Sequence, residues 1–138
     1  MTLSKVEFLK LFKNWLAAWN RHDLAEVMEW FHEDVVFENW TGATITGKTA
    51  LRKAWTPWFS KHGGFTFTEE GFFVDESEQK ILFQWRLEWP SPEQQFIGKP
   101  EIRRGADILH FLDGKIHRKY TYSKTMIHID SRPVFLQA

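Results

Sequence analysis

Apolar residues recur at helical spacing over the first part of the chain. Between Ser4 and Arg21, Phe8, Phe12, Trp15, Leu16 and Trp19 fall on one stripe, which Leu9 and Leu11 widen. Ser4 with Glu7 three residues later is a capping box and places the helix start there. In the turn Asn20-Arg21-His22-Asp23, Asp23 can cap a second short helix through Leu24, Val27, Met28 and Phe31, so the two helices form a hairpin. A strand from Asp34 to Glu38 follows, with a short arm from Thr41 to Thr46 closed by Gly47. A third helix runs from Lys48 to Lys61 with Leu51, Trp55, Trp58 and Phe59 on one side. Pro57 removes a backbone donor inside it and predicts a kink or a tight last turn, and His62-Gly63-Gly64 ends it.

After Gly64 the period changes from helical to two. Phe65 to Val74 reads as a strand. In Lys80 to Trp89 the alternation is cleaner: Ile81, Phe83, Trp85, Leu87 and Trp89 are separated by Leu82, Gln84, Arg86 and Glu88. Asp75 to Gln79 is the turn between them. The proline-rich segment from Pro90 to Pro100 is a loop that could lie over a site. Glu101 to Leu112 and Lys115 to Met126 form a last hairpin around Asp113-Gly114, a strong turn signal. Helices first and a strand meander afterwards predict one α+β domain over residues 1–138. The helical hairpin and third helix pack on one face of a curved antiparallel sheet, giving a cone-shaped α+β barrel.

Composition changes this picture in three ways. Lys plus Arg and Asp plus Glu both total 18, so no basic field draws in a nucleic-acid backbone. Cysteine is absent, which excludes disulfides, thiolate nucleophiles and thiolate zinc sites. Lys5, Glu7, Lys10 and Lys13 interrupt the first 20 residues, so neither a signal peptide nor a membrane span is expected, and a cytoplasmic protein is. Aromatic residues make up 17% of the chain, with 8 Trp and 13 Phe, more than packing alone calls for in a core of this size. Aromatic walls around a cavity are the expected use of the excess.

The segment WLAAWNRHDLAEVMEWFHEDVVFENWTG (15–42), then TGKTALRKAW (46–55) and DILHFLDGKIHRKYTY (107–122), resembles the nuclear transport factor 2-like superfamily, in particular its SnoaL-like and ketosteroid isomerase-like branches. The likeness extends from Phe8 to about Tyr122. It implies a cone-shaped fold and a homodimer; its members include isomerases, cyclases, dehydratases, epoxide hydrolases and proteins without catalysis. The isomerase site combines an aspartate base with an oxyanion hole of a tyrosine and a protonated aspartate. Matched residue by residue, the tyrosine falls on Trp15, the base on Asn39 and the oxyanion-hole aspartate on Asp107. Only Asp107 is retained; an amide cannot take a proton near neutral pH, and an indole donates one hydrogen bond without relaying a proton.

Asp107 is therefore the leading catalytic candidate, with Asn39 and Trp15 as donors. In an apolar pocket a carboxyl is held toward its neutral form and can donate a hydrogen bond or act as an acid. In SnoaL-like cyclases an aspartate on this part of the sheet serves an intramolecular aldol closure, so the resemblance implies that Asp107 could do the same. The bland alternative is a structural aspartate tied to an amide or a Trp N–H. Asn39 is equally a turn former before Trp40-Thr41-Gly42, and Glu38 should point to the opposite face as a surface acid. Trp40, Trp55, Trp58, Phe59, Phe83 and Trp85, with Trp89, are the expected ligand-contacting walls, although simple burial explains many of them. Arg86, Arg103 and Arg104 could bind an acidic group or stay solvated. His110 and His117 could meet across the last hairpin at a dimer surface; no metal and no cofactor is expected. The expected partner is a small hydrophobic molecule, with neither nucleic acid nor membrane. The rival readings are a ligand-binding or dimerisation domain without catalysis, or an adaptor acting through the sheet face that carries Tyr120 and Tyr122.

Overall fold

The computed structural model describes residues 1–61 and 63–136; His62, expected at the end of the third helix, lies outside them. Helix α1 spans Lys5–Asn20, α2 Leu24–Glu29 and α3 Lys48–Ser60. The strands are β1 Phe31–Glu38, β2 Thr44–Thr46, β3 Thr66–Asp75, β4 Lys80–Pro90, β5 Pro100–Leu112, β6 Lys115–Ser123, β7 Met126–Ile129 and β8 Arg132–Phe135. The sheet runs β2-β1-β6-β5-β4-β3 and curls strongly, with the helices against its inner face; β7 pairs with the start of β5 and carries β8. Among the described residues no helix is long and apolar enough to cross a membrane.

The capping box forms as its spacing predicts. The Glu7 N–H donates to Ser4 Oγ at 3.2 Å and the Ser4 N–H to Glu7 Oε1 at 3.0 Å, so two backbone donors left open by the first turn are satisfied together. At the other end of α1, Asn20 docks the helix on the edge strand β3. Its amide donates to the Phe67 carbonyl at 2.9 Å and accepts from the Phe67 N–H at 2.8 Å, standing in for the neighbouring strand that β3 lacks. Asp23 caps α2 through the Glu26 N–H at 3.1 Å.

Several boundaries differ from the sequence expectation for identifiable reasons. Phe31 belongs to β1, not α2, because the Trp30 carbonyl accepts from the Ile116 N–H at 2.8 Å and commits this stretch to β6. The sheet is mixed: β1 runs parallel to β6, while β2–β1 and the β3–β4–β5–β6 ladders are antiparallel. The parallel pair arises because β1 and β6 are separated by most of the chain and need no hairpin. Pro57 sits in α3 without ending it, since its exposed position near the helix end leaves little to break. The proline-rich segment is no lid. It closes the β4–β5 hairpin through a 3₁₀ turn at Gln94–Phe96, and the Ser91 N–H donates to the Lys99 carbonyl at 2.7 Å. Finally, β6 stops at Ser123, and the chain then pairs Glu101 with Ile129 along the free beginning of β5.

Two bulges set which side chains enter the cone. In β3, Glu69 faces Trp85 and Gly71 faces Gln84, so Glu70 is the extra residue. Phe65 and Phe67 point inward before it, and Phe72 and Val74 after it. In the last hairpin, Phe111 pairs with Ile116 but His110 pairs with Arg118, which leaves His117 as the extra residue.

Replacing Asn20 by Ala removes both bonds to Phe67 and leaves two β3 backbone groups without partners. A loss of about 1–3 kcal/mol is expected, measured by urea denaturation, with amide exchange at Phe67 accelerating ahead of the core.

Candidate functional site

The cone holds a cavity of about 360 Å³ between α1, α3 and the inner face of the sheet. Its walls are largely indole and phenyl rings. Trp15, Leu16 and Trp19 come from α1, Trp55 and Trp58 from α3, Phe83, Trp85 and Trp89 from β4, and Phe37 from β1. Trp19 is a hub of this cluster, with ring centroids 5.1 Å from both Trp55 and Phe59 and 5.6 Å from Trp15. Such tilted and edge-on contacts let large rings pack without face-to-face repulsion. Gly105 makes room on the sheet: a Cβ there would lie 2.1 Å from the Tyr122 carbonyl oxygen and 2.5 Å from a ring carbon of Trp85. The missing side chain is what allows the Trp85 indole to lie across β5.

Of the expected wall residues, Trp40, Trp55, Trp58, Phe83 and Trp85 line the cavity, and Phe59 does not. Phe59 packs behind the wall against Trp19, Trp58 and Phe65, a core role fixed by its place on the inner side of α3. Trp15 contributes ring surface but no donor. Its N–H donates to the Val27 carbonyl at 3.2 Å, which joins α1 to α2 and uses the one hydrogen bond an indole can give.

Asp107 is buried on the cavity wall, 5% exposed, and it is not alone there. The Thr121 hydroxyl donates to its Oδ1 at 2.7 Å, the Trp85 N–H makes a longer contact to the same oxygen at 3.4 Å, and Lys119 Nζ stands 3.2 Å from Oδ2. Lys119 also donates to Thr121 Oγ1 at 2.7 Å. The lone carboxyl among apolar groups expected from the sequence is instead a carboxylate–hydroxyl–ammonium cluster, because the bulge at His117 turns Lys119 and Thr121 inward opposite Leu109 and Asp107. Lys119 is equally buried, and its Nζ lies 4.8 Å from the centre of the Phe37 ring and 5.8 Å from that of Trp55. Burial holds the Lys119 ammonium below the ordinary lysine value of 10.5, and the charge of Asp107 and its hydrogen bond oppose that shift only in part.

Asn39 stands at the cavity wall just beyond β1. Its backbone closes the turn, with the Gly42 N–H donating to its carbonyl at 2.9 Å, and its Oδ1 accepts from the Trp40 N–H at 2.8 Å. Asn39 is thus both turn former and wall residue, and no hydrogen bond engages its Nδ2 among the described residues. Glu38, between two inward residues, pairs with Tyr120 across the ladder and takes no part in the wall.

The remaining candidates are engaged elsewhere. Arg103 lies buried under the Trp40 ring, 4.6 Å from its centre, and pairs with Glu93 at 3.1 Å and Glu101 at 3.3 Å. Glu101 also accepts from the Ser91 hydroxyl at 3.0 Å and from the Trp89 N–H. This network braces the rim of the cone, so Arg103 is not free for an acidic ligand. Arg104 pairs with Glu70, and Arg86 with Glu88. His117, the bulged residue, stacks edge-on with His32 at 5.1 Å, while His110 packs against Tyr120 at 5.4 Å.

Residues 12–119 match the SnoaL-like domain. The chain belongs to the SnoaL-like family, and its fold is that of nuclear transport factor 2-like proteins. No curated protein sequence matches it. Among solved structures this SnoaL-like chain is similar to AclR, a proposed hydroxylase from Streptomyces galilaeus, with a TM-score of 0.71 at 17% identity over 88% of this chain and 81% of that one. It is also similar to a proposed polyketide cyclase from Xanthomonas campestris pv. campestris, at TM-score 0.69 and 15% identity, covering 84% and 89%. A proposed ketosteroid isomerase from Kribbella flavida superposes at TM-score 0.65 and 18% identity, covering 83% and 76%. Neighbours proposed to run three different reactions, at such identities, establish the fold and leave the chemistry to the site.

Removing either charge of the buried pair strands the other. Lys119→Met and Asp107→Asn are each expected to cost about 3–5 kcal/mol, and the double substitution less than their sum; additive costs in urea melts would mean the two groups do not interact. The lowered value of Lys119 also sets a pH trend. Between that value and 10.5 the unfolded chain binds a proton the native state lacks, so stability should rise with pH across this window, and Lys119→Met should flatten the rise in melts at stepped pH.

Proposed function

We propose that the cone is a binding chamber for a small hydrophobic carbonyl or phenolic compound, on which Asp107 acts as acid and base in isomerase- or cyclase-type chemistry. The observation that carries this reading is the Lys119–Thr121–Asp107 cluster, a charged polar group set into the wall of a largely aromatic cavity. The volume falls near the lower end of small-molecule sites, about 300–1,000 Å³.

In this reading a ketone lies among the indoles with its oxygen toward the Lys119 ammonium. The Asp107 carboxylate removes a proton from the carbon beside the carbonyl, and the ammonium stabilises the enolate oxygen. Returning the proton to a different carbon gives an isomer; attack of the enolate on a second carbonyl of the same molecule closes a ring. Fixed charges in a dry, low-dielectric site stabilise such a transition state better than water does. The Nδ2 of Asn39, without a hydrogen-bond partner among the described residues, offers a second donor for a ligand oxygen. The neighbours named as a cyclase and an isomerase are in keeping with this chemistry.

A second reading keeps the chamber without catalysis, and Asn39 favours it by standing where the isomerase pattern has its base. The outer sheet face bears half-buried Leu82, Ile108 and Tyr120 beside Tyr122, which is 52% exposed. A second copy of the chain is the partner proposed for that face.

A thermal-shift panel of aromatic ketones, phenols and aromatic acids tests the chamber. A compound at 100 times its Kd should add about 2.7 kcal/mol of stability. Ketones that bind are then followed by proton NMR in deuterated buffer. The wild type should accelerate exchange beside the carbonyl, and Asp107→Asn should lose about 100-fold or more of that acceleration. Binding without exchange would leave the non-catalytic reading in place; no binding across the panel would refute the chamber.

A further inference from the structure

Lys119 has an arrangement that neutralising Asp107 does not require. Its Nζ donates to Thr121 Oγ1 at 2.7 Å and meets Asp107 Oδ2 at 3.2 Å, while Phe37 and Trp55 present ring faces nearby. An ammonium has three donors, and two polar partners account for two of them. Lys119 is also the lysine that lines the cavity.

Resting on the reading of the cone as a chamber for carbonyl compounds, we propose that Lys119 is an amine nucleophile that captures an aromatic aldehyde or ketone as an imine. Phenols and carboxylic acids, which cannot form one, are then ligands but not partners in this step.

The surroundings supply what each stage needs. The Lys119 ammonium first passes a proton to Asp107, directly or through the Thr121 hydroxyl, which links Nζ to Oδ1 by two contacts of 2.7 Å. The nitrogen lone pair then forms a bond to the carbonyl carbon, and the carbon–oxygen π pair moves to oxygen, which takes the proton from Asp107. The Asp107 carboxylate recovers a proton from the new nitrogen centre to give a neutral carbinolamine. Finally the nitrogen lone pair expels the hydroxyl, which leaves as water with the proton from Asp107. Carbonyl plus ammonium yields the protonated imine, an iminium, plus water; Asp107 ends as the carboxylate it began as, and no oxidant or reductant is consumed. The desolvation that disfavours the ammonium makes the neutral amine available at lower pH than at a surface lysine. Once formed, the iminium is a stronger electron sink than the parent carbonyl, so the proton abstraction assigned to Asp107 becomes easier.

The test is reductive trapping on the full chain. The protein is incubated near neutral pH with benzaldehyde, 4-methoxybenzaldehyde or 2-naphthaldehyde, reduced with cyanoborohydride, and mapped by peptide mass spectrometry. Each aldehyde is paired with its alcohol, a binder that cannot condense, in thermal-shift measurements. Lys119 should be labelled at least about tenfold faster than the exposed Lys124. Asp107→Asn should slow that labelling about 100-fold, and Lys119→Arg, which keeps a cation beside Asp107, should abolish it. The wild-type map carries the test even if a variant folds poorly. Aldehydes and alcohols that raise the melting temperature while only surface lysines are labelled would overturn the proposal and leave the chamber standing. No shift and no label at Lys119 with any aldehyde would overturn both.

Discussion

A single inserted residue in the last hairpin decides what the cone contains. With a regular two-residue turn at Asp113-Gly114, the ladder would place Lys119 opposite Ile108, on the outer face, and Asp107 opposite Tyr120. His117 takes up one extra position instead, so Leu109 meets Lys119 and Asp107 meets Thr121. Because side chains alternate along a strand, this slip exchanges the two faces of β6 from that point on. It sends the tyrosines outward and a lysine and a threonine inward. The polar cluster, the shape of its wall and the character of the outer face all follow from it.

The cluster is costly to bury. At 3.2 Å and an effective dielectric of about 20, the attraction between the Lys119 and Asp107 charges is on the order of 5 kcal/mol. Desolvating the two ions costs several kcal/mol each. The two terms nearly cancel, so stability alone does not account for a pair that well-packed apolar side chains could replace. The Glu101–Arg103 pair at the rim has a different setting: Ser91, Trp89 and Glu93 share its hydrogen bonds, and Trp40 covers the guanidinium. That network braces the fold, whereas the Lys119–Asp107 pair faces open space.

Much of this was legible in the sequence where periodicity and local chemistry act together. The α1 stripe with its capping box, the Asp23 cap and the alternation in β4 depend on contacts within a few residues. The resemblance carried by residues 15–42 and 107–122 brought Asp107 and Asn39 to the site. The losses came where a position depends on partners far along the chain. Helical spacing places Phe31 with α2, but β6 claims it. Phe59 and Trp58 are adjacent on α3, and only the packing of α3 against the sheet shows that Trp58 faces the cavity and Phe59 the core. The N–H of Trp15 is taken by the Val27 carbonyl of the facing helix, a contact between two elements that spacing within α1 does not show. The bulge hides Lys119 from a regular hairpin register, although the sequence carries a signal: if Tyr120 and Tyr122 share the outer face, Lys119 and Thr121 must point inward.

Lys119 and Asp107 are the proposed reactive wall of a chamber for a small carbonyl compound, and their position at the cavity is what such a ligand would have to meet. The decisive measurement is a crystal structure of the protein soaked with a small aromatic ketone such as 4-hydroxyacetophenone. The ring is expected among Trp19, Trp55 and Trp85, with the ketone oxygen within hydrogen-bonding distance of Lys119 Nζ. A cone closed by its own side chains, or a ketone held at the rim with no contact to Lys119 or Asp107, would rule out a reactive role for the pair.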